Sequence, residues 1–441
     1  MIISLATSIF LSFLVIFYNR LIFNILSKKS ELFNFLEYVV YYKVLFYMLI
    51  PSILRLYSGM QFELEIGVEP IELFIIYLFE FISYMIWLSV IFLLIRSAKN
   101  YQPNGRYIQI IETFNIIILI MYVYYMFARV MTIFGYEFDN LFDSSLYLFY
   151  PLVSTLGAVL VPFSLIYYKF RNRNNKKFYL SLIATIFYLA YALISGVRGL
   201  IIHPIFFAIA LLIIFNRVYV IKYLFIILLA YIIFSSSFMQ IRHLNTDEKL
   251  EILTSSQEMK GGKYNLIDNI EWRYGESSRL SVAFLRRGLS GDFAGIAPLA
   301  SSLYAPIPRF LFPEKPIPGS IGEGKYSMGM YLINDDMRGQ WGTMSEFYSS
   351  AHAYWEFGLA GVIVITILSG IWIGLLSSLF SKVGILGVPL IMIFFKPWGY
   401  NEPKIWLYDI PLQISHYIIP GFSIFFAIVV YRGMRQYRRS Q

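Results

Sequence analysis

Residues 193–204 read LISGVRGLIIHP, an arginine between two glycines inside an otherwise apolar stretch. Roughly twenty apolar residues lie before it and roughly fifteen after it, the scale of two membrane-crossing helices joined by a tight turn. An arginine at a bilayer centre costs at least about 2.5–3.5 kcal/mol. Arg198 therefore belongs at the tip of a hairpin at the membrane surface. Gly196 and Gly199 beside it let a backbone or a ligand approach closely.

Outward from this hairpin the pattern repeats. The 441 residues are 58% hydrophobic and only 14% charged, against about 25% charged in a soluble domain. Apolar runs predict spans over residues 1–19, 38–57, 72–95, 107–128, 145–168, 178–196, 199–215, 219–238, 352–380, 383–396 and 410–431, about eleven (10–12) in all. The fold class is an all-α polytopic membrane protein. Three parts follow: spans one to eight over residues 1–238, a large loop over 239–351, and the last three spans with a basic tail over 352–441. The first span has no basic flank before it and no small-residue cleavage site, so it reads as a retained helix.

Charge orients the spans. Arg20, Lys28 and Lys29 follow the first span, and Arg96, Lys99 and Arg106 the third. Lys169, Arg171, Arg173, Lys176 and Lys177 follow the fifth, and the tail carries Arg432, Arg435, Arg438 and Arg439. Between them come the acidic flanks, Glu63, Glu65, Glu69 and Glu72, then Glu137, Asp139 and Asp143. The basic side is cytoplasmic. The expected topology has the N-terminus outside, the C-terminus inside, and both the Arg198 turn and the 239–351 loop outside. That loop holds twelve basic and thirteen acidic residues, so the net charge of +9 reflects membrane anchoring and gives no reason to expect nucleic acid.

Several chemistries lack their residues. With no cysteine there is no disulfide, thiol nucleophile or cysteine-based zinc site. The histidines, His203, His243, His352 and His416, are too scattered for a metal site. Neither a P-loop nor a dinucleotide-binding glycine pattern occurs.

The polar side chains that remain cluster in the large loop. GESSRLSVAFLRRGLSG (275–291) predicts a helix capped by Ser277 or Ser278. Arg279 and Arg286 share one face and Arg287 lies at its edge, which suits a helix lying on the membrane with arginines turned to headgroups. APIPRFLFPEKPIPG (305–319) is too rich in proline for a regular helix and holds Arg309. GQWGTMSEFYSSAHAYWEFGLAG (339–361) places Glu346 and His352 at the entrance of the ninth span. Each feature has a plainer reading. Arg198 reads equally as a snorkelling interfacial residue, Glu346 as a partner of the helix dipole, and His352 as a satisfied interfacial histidine. Glu80 and Glu112 are intramembrane acids; Glu80 is the deeper and has no partner legible in the sequence. Asp335 and Asp336 resemble a metal pair only as adjacent loop acids do. Together the outward arginines, the proline-structured loop and one well-placed carboxylate suit chemistry on a lipid-linked phosphate.

SGVRG at a hairpin, IPRFLFPEKP in a large late loop, and GTMSEFYSSAHAYWEFGLAG entering a span, in that order and spacing, resemble the Wzy family of O-antigen and capsule repeat-unit polymerases. The resemblance is carried by residues 190–365. It departs from an arginine-to-glycine spacing of some members, since Ile209 and Ser320 stand where glycines would. The resemblance implies a GT-C-like architecture in the bacterial inner membrane. It also implies a metal-independent glycosyltransferase with no cofactor, joining repeat units carried on undecaprenyl pyrophosphate at the periplasmic face. The growing chain moves to the non-reducing end of a new lipid-linked unit, and a chain-length regulator is the expected partner. On that basis Arg198, Arg279 and Arg309 are pyrophosphate-binding candidates, because the leaving group gathers negative charge. Glu346, with His352 as alternate, is the candidate base. Tyr304, Trp341 and Tyr348, with Tyr354 beside them, are candidates to stack on sugars. The competing readings are an O-antigen ligase, which would rely on a loop histidine, and a lipid-linked oligosaccharide flippase, which predicts a charged pathway and repeated halves.

Overall fold

A computed structural model describes residues 2–26, 31–58, 67–95, 150–195, 199–224, 266–297 and 349–381, with isolated positions between 120 and 124, at 226, between 300 and 314, and between 387 and 392. Among the described residues the regular structure is helical throughout, with no strand. The helices are α1 (Ile2–Leu26), α2 (Glu31–Val44), α3 (Ile50–Ser58), α4 (Pro70–Ile95), α5 (Tyr150–Tyr167), α6 (Asn175–Ser195), α7 (Gly199–Ile214), α8 (Leu266–Leu289) and α9 (Ser349–Ser381). Three stretches, Ile3–Leu26, Pro70–Ile95 and Ser350–Ser381, are long and apolar enough to cross a membrane, as a helical membrane protein requires. Most of the expected spans 107–128, 219–238 and 383–396, and all of 410–431, lie outside the described residues.

Exposed faces of α1 are as apolar as buried ones. Ile3, Phe10, Phe13, Phe17, Leu21 and Ile25 are all exposed, while Leu5, Val15, Ile22 and Phe23 are buried. A helix apolar on every side suits a lipid surround better than water.

The run from α2 to α3 is helical throughout, through the π-helical turn Leu45–Leu49. Pro51 explains the irregularity. It has no N–H for the carbonyl four residues back, and its ring crowds that carbonyl; one wider turn upstream relieves the crowding. Ser52 Oγ donates to the Met48 carbonyl at 2.6 Å.

The central packing is α9 along α4, with α1 on another side of α4. Glycine permits the close approach: a Cβ on Gly374 would lie 2.6 Å from Leu94, and one on Gly370 3.0 Å from Val90. Tyr18 and Ser89 join α1 to α4 by a hydroxyl–hydroxyl bond of 2.8 Å. Elsewhere α5 packs on α7 and α6. Helix α6 ends at Ser195 and α7 starts at Gly199, where the Arg198 stretch predicts a hairpin. Residues 196–198 lie outside the described set.

Two expectations are corrected. The ninth span was expected as one helix over 352–380. It begins earlier, at Ser349, and is broken at Phe357 (φ −139°, ψ 22°) and Gly358 (φ 64°, ψ −152°). The left-handed φ is one that glycine alone adopts without strain. A Cβ on Gly361 would collide with the Ala353 carbonyl, so segment 349–356 folds back against the start of segment 359–381, and Ala353 clusters with Val362 and Ile365. The carbonyls freed by the break are satisfied from the turn after α8. Ala294 N–H donates to Trp355 O and Gly295 N–H to Glu356 O, both at 3.1 Å.

The loop helix is the second correction. It starts at Leu266, not near residue 275, so Ser277 and Ser278 lie inside it and cap nothing. It packs against α4 and α9, burying Leu280, Val282, Phe284 and Leu285. At Gly288 the approach is so close that a Cβ would lie 2.7 Å from the Tyr354 ring.

Candidate functional site

The end of α3, the first half of α4, the C-terminal half of α8 and segment 349–356 meet at one corner of the bundle. Glu72 shows how it is built. Pro70 opens α4, where a missing N–H costs nothing, and the Glu72 carboxylate reaches back to accept the Glu69 N–H at 2.9 Å. This is one half of a capping box, and the helix dipole favours a carboxylate there. The same group receives Arg286 of α8 through Nε at 2.6 Å and Nη2 at 2.9 Å. Nη2 also donates to the Gly67 carbonyl at 2.7 Å.

A second arginine works from the opposite direction. Arg55 in the last turn of α3 is 2% exposed. It donates to the Tyr77 hydroxyl on α4 and to the Ser278 hydroxyl on α8. One turn beyond Tyr77, Glu80 is buried. Its Oε1 accepts the Ser350 N–H at 2.8 Å, so Glu80 finds the partner that the sequence did not disclose: an amide at the N-terminus of α9, where helix geometry leaves donors unfilled.

His352 and Glu356 lie one turn apart, with Nδ1 to Oε1 at 3.5 Å and exposures of 1% and 0%. The His352 ring makes edge contacts with Phe284 at 4.9 Å and with Trp355 at 5.9 Å. It is a buried residue of the α8–α9 interface, and a substrate meets it only if one of those elements moves.

Arg279 differs from its neighbours. Arg286 pairs with Glu72, and Arg287 with Asp292 at 3.3 Å. Arg279 has no hydrogen-bond or ion-pair partner among the described residues, although it is partly buried. Burial lowers its pKa from the ordinary arginine value, since desolvation disfavours the charged form. An anion bound there would remove that penalty.

Of the aromatic candidates, Tyr304 is 43% exposed with its ring 5.8 Å from Phe312. Tyr354 is engaged in packing, stacked on Phe79 at 5.0 Å and held under Gly288. Arg198, Arg309, Trp341, Glu346 and Tyr348 lie outside the described residues. The corner therefore brings together Arg279 and His352 of the predicted set, and adds Arg55, Glu72, Tyr77 and Glu80. Arg55 carried a usable hint: it is a basic residue on the flank whose other charges, Glu63, Glu65, Glu69 and Glu72, are acidic.

Compared with protein-family models, curated proteins and solved structures, the chain matches none of them.

Proposed function

We propose that the chain is a membrane glycosyltransferase that polymerises oligosaccharide repeat units carried on undecaprenyl pyrophosphate. The observation that carries the reading is Arg279, a partly buried guanidinium without a partner among the described residues, on a helix whose next two arginines both face carboxylates. The proposed frame has about eleven spans in the bacterial inner membrane with the N-terminus outside, arranged in a GT-C-like way. In that frame the corner faces the periplasm.

The chemistry asks little beyond placed charge. The acceptor hydroxyl attacks the anomeric carbon of the growing chain. The bond from that carbon to the phosphate oxygen breaks, and the lipid pyrophosphate departs with the electron pair. Charge grows on the departing oxygen, so a fixed guanidinium binds the transition state more tightly than the ground state. Arg279 takes that role, with Arg198 and Arg309 completing the cluster. Glu346 accepts the hydroxyl proton. Tyr304, Trp341 and Tyr348 line the sugars, and a chain-length regulator acts with the enzyme.

The test is the lipopolysaccharide ladder of a strain lacking this gene, complemented with the unaltered chain or with Arg279→Ala or Arg198→Ala. The expected result is core plus one repeat unit in the deletion, a full ladder with the unaltered chain, and loss of long chains with either variant at normal protein level. Core with no repeat in the deletion would move the function to ligation or flipping. A full ladder with both variants would remove these arginines from the mechanism.

A further inference from the structure

Arg279 follows directly on Ser278, and Ser278 is held by a residue more than two hundred positions earlier. The Arg55 guanidinium divides its two terminal nitrogens between elements: Nη1 donates to Tyr77 on α4 and Nη2 to Ser278 on α8. Both acceptor residues are 0% exposed. A guanidinium is a rigid planar fork, so seating one nitrogen on α4 fixes the direction of the other. Ser278 is thereby tied to α4 in both axial position and rotation.

A second tie lies eight residues on, about 12 Å along the helix axis at 1.5 Å per residue, where Arg286 meets Glu72 and Gly67. Two ties at separate heights define the pose of a rigid helix. They are unequal, however. The Arg286 side chain is 51% exposed, a setting in which ion pairs contribute little. The Arg55 tie is dry, and it is the one adjacent to Arg279. A slip of one residue would turn α8 by about 100° and carry Arg279 off its face.

We infer that Arg55 is a positioning residue for pyrophosphate-dependent glycosyl transfer: it holds Ser278, and through it the register of α8, so that Arg279 faces the lipid-linked pyrophosphate. This rests on the polymerase reading above. It assigns Arg55 no contact with substrate.

The chain has no cysteine, so Ser281→Cys introduces a sole thiol at a fully buried position on α8. In membranes containing the full chain, two quantities are measured for unaltered Arg55, Arg55→Lys and Arg55→Gln. One is the labelling rate of the introduced thiol by a small maleimide. The other is the initial rate of polymer formation from added lipid-linked repeat units. Arg55→Gln is expected to raise labelling about tenfold, as local opening of α8 would. It should lower the polymerisation rate about 10- to 100-fold, the scale of an ångström-size misplacement. Arg55→Lys keeps the charge but not the fork, and should fall between on both measures. If Arg55→Gln does not reach the membrane, Tyr77→Phe removes one acceptor only and should shift both quantities together by less.

A lowered rate with the thiol still protected would overturn the positioning role, as would lost protection with the rate unchanged. If the unaltered chain makes no polymer, the polymerase reading fails and the assignment to transfer fails with it. Labelling alone then decides whether Arg55 latches α8.

Discussion

Two arginine–glutamate pairs in this molecule look alike and do different work. Arg20 meets Glu37 at 2.7 Å and Arg286 meets Glu72 at 2.6 Å. Both arginines are more than half exposed and both glutamates nearly buried. The first pair is 17 residues apart on consecutive helices. The chain already holds α1 beside α2, and Glu37 also accepts the Tyr41 hydroxyl at 3.0 Å. The second pair is 214 residues apart and fixes a helix that no short connection holds in place. Closing a long loop costs more entropy. Part of that cost is offset because Glu72 is already oriented by the Glu69 amide. Equal contacts thus differ in consequence: one trims a hairpin, the other helps place the helix that carries Arg279.

The comparison breaks most readily at the α8–α9 seam. Gly288→Val would set a branched side chain into the Tyr354 ring, whose movement its stacking on Phe79 restrains. Overpacking of this kind costs about 1–3 kcal/mol. The expected outcome is a lower unfolding temperature in detergent and faster maleimide labelling of a thiol introduced by Ser281→Cys. Unchanged values would mean that α8 is held by its polar ties alone.

A smaller effect is expected from the remote pair. A double-mutant cycle of Glu72→Gln and Arg286→Met should give a coupling of about 0.2–1 kcal/mol, the range of exposed ion pairs. The bidentate geometry favours its upper part. Coupling indistinguishable from zero would leave the Arg55 tie to hold α8 without help from this pair.

The smallest effect belongs to the local pair. The cycle of Arg20→Met and Glu37→Gln should couple by about 0.5 kcal/mol or less, with α8 labelling untouched. A coupling larger than that of Arg286 with Glu72 would reverse the ranking of the two pairs.

Much of the helical framework is legible from the chain. The stretches expected as spans near 1–19, 72–95, 145–168, 178–196 and 199–215 coincide with α1, α4, α5, α6 and α7, because apolar run length and turn residues are local quantities. The site is less so. Ser278 reads as a cap and is an acceptor for Arg55. Glu80 reads as solitary and holds the first turn of α9. His352 reads as interfacial and lies in a packed seam. For Ser278 and Glu80 the partner is distant in the chain, and a polar side chain's role depends on which partner it meets.

By itself the sequence determined the lipid-compatible composition, the helical periodicity, the charge asymmetry between loops, and the arginine- and carboxylate-bearing segments available for chemistry. These follow from residue type and near neighbours, since desolvation cost and helix hydrogen bonding act over a few residues. The tertiary structure alone decided that α8 docks on α4 and α9, that α9 breaks at Phe357 and Gly358 and is capped from the turn after α8, and that Arg286 is paired with Glu72 while Arg279 has no partner among the described residues. Those outcomes depend on close approach at Gly288 and on hydrogen bonds spanning more than two hundred residues. Local sequence encodes no distance between such groups.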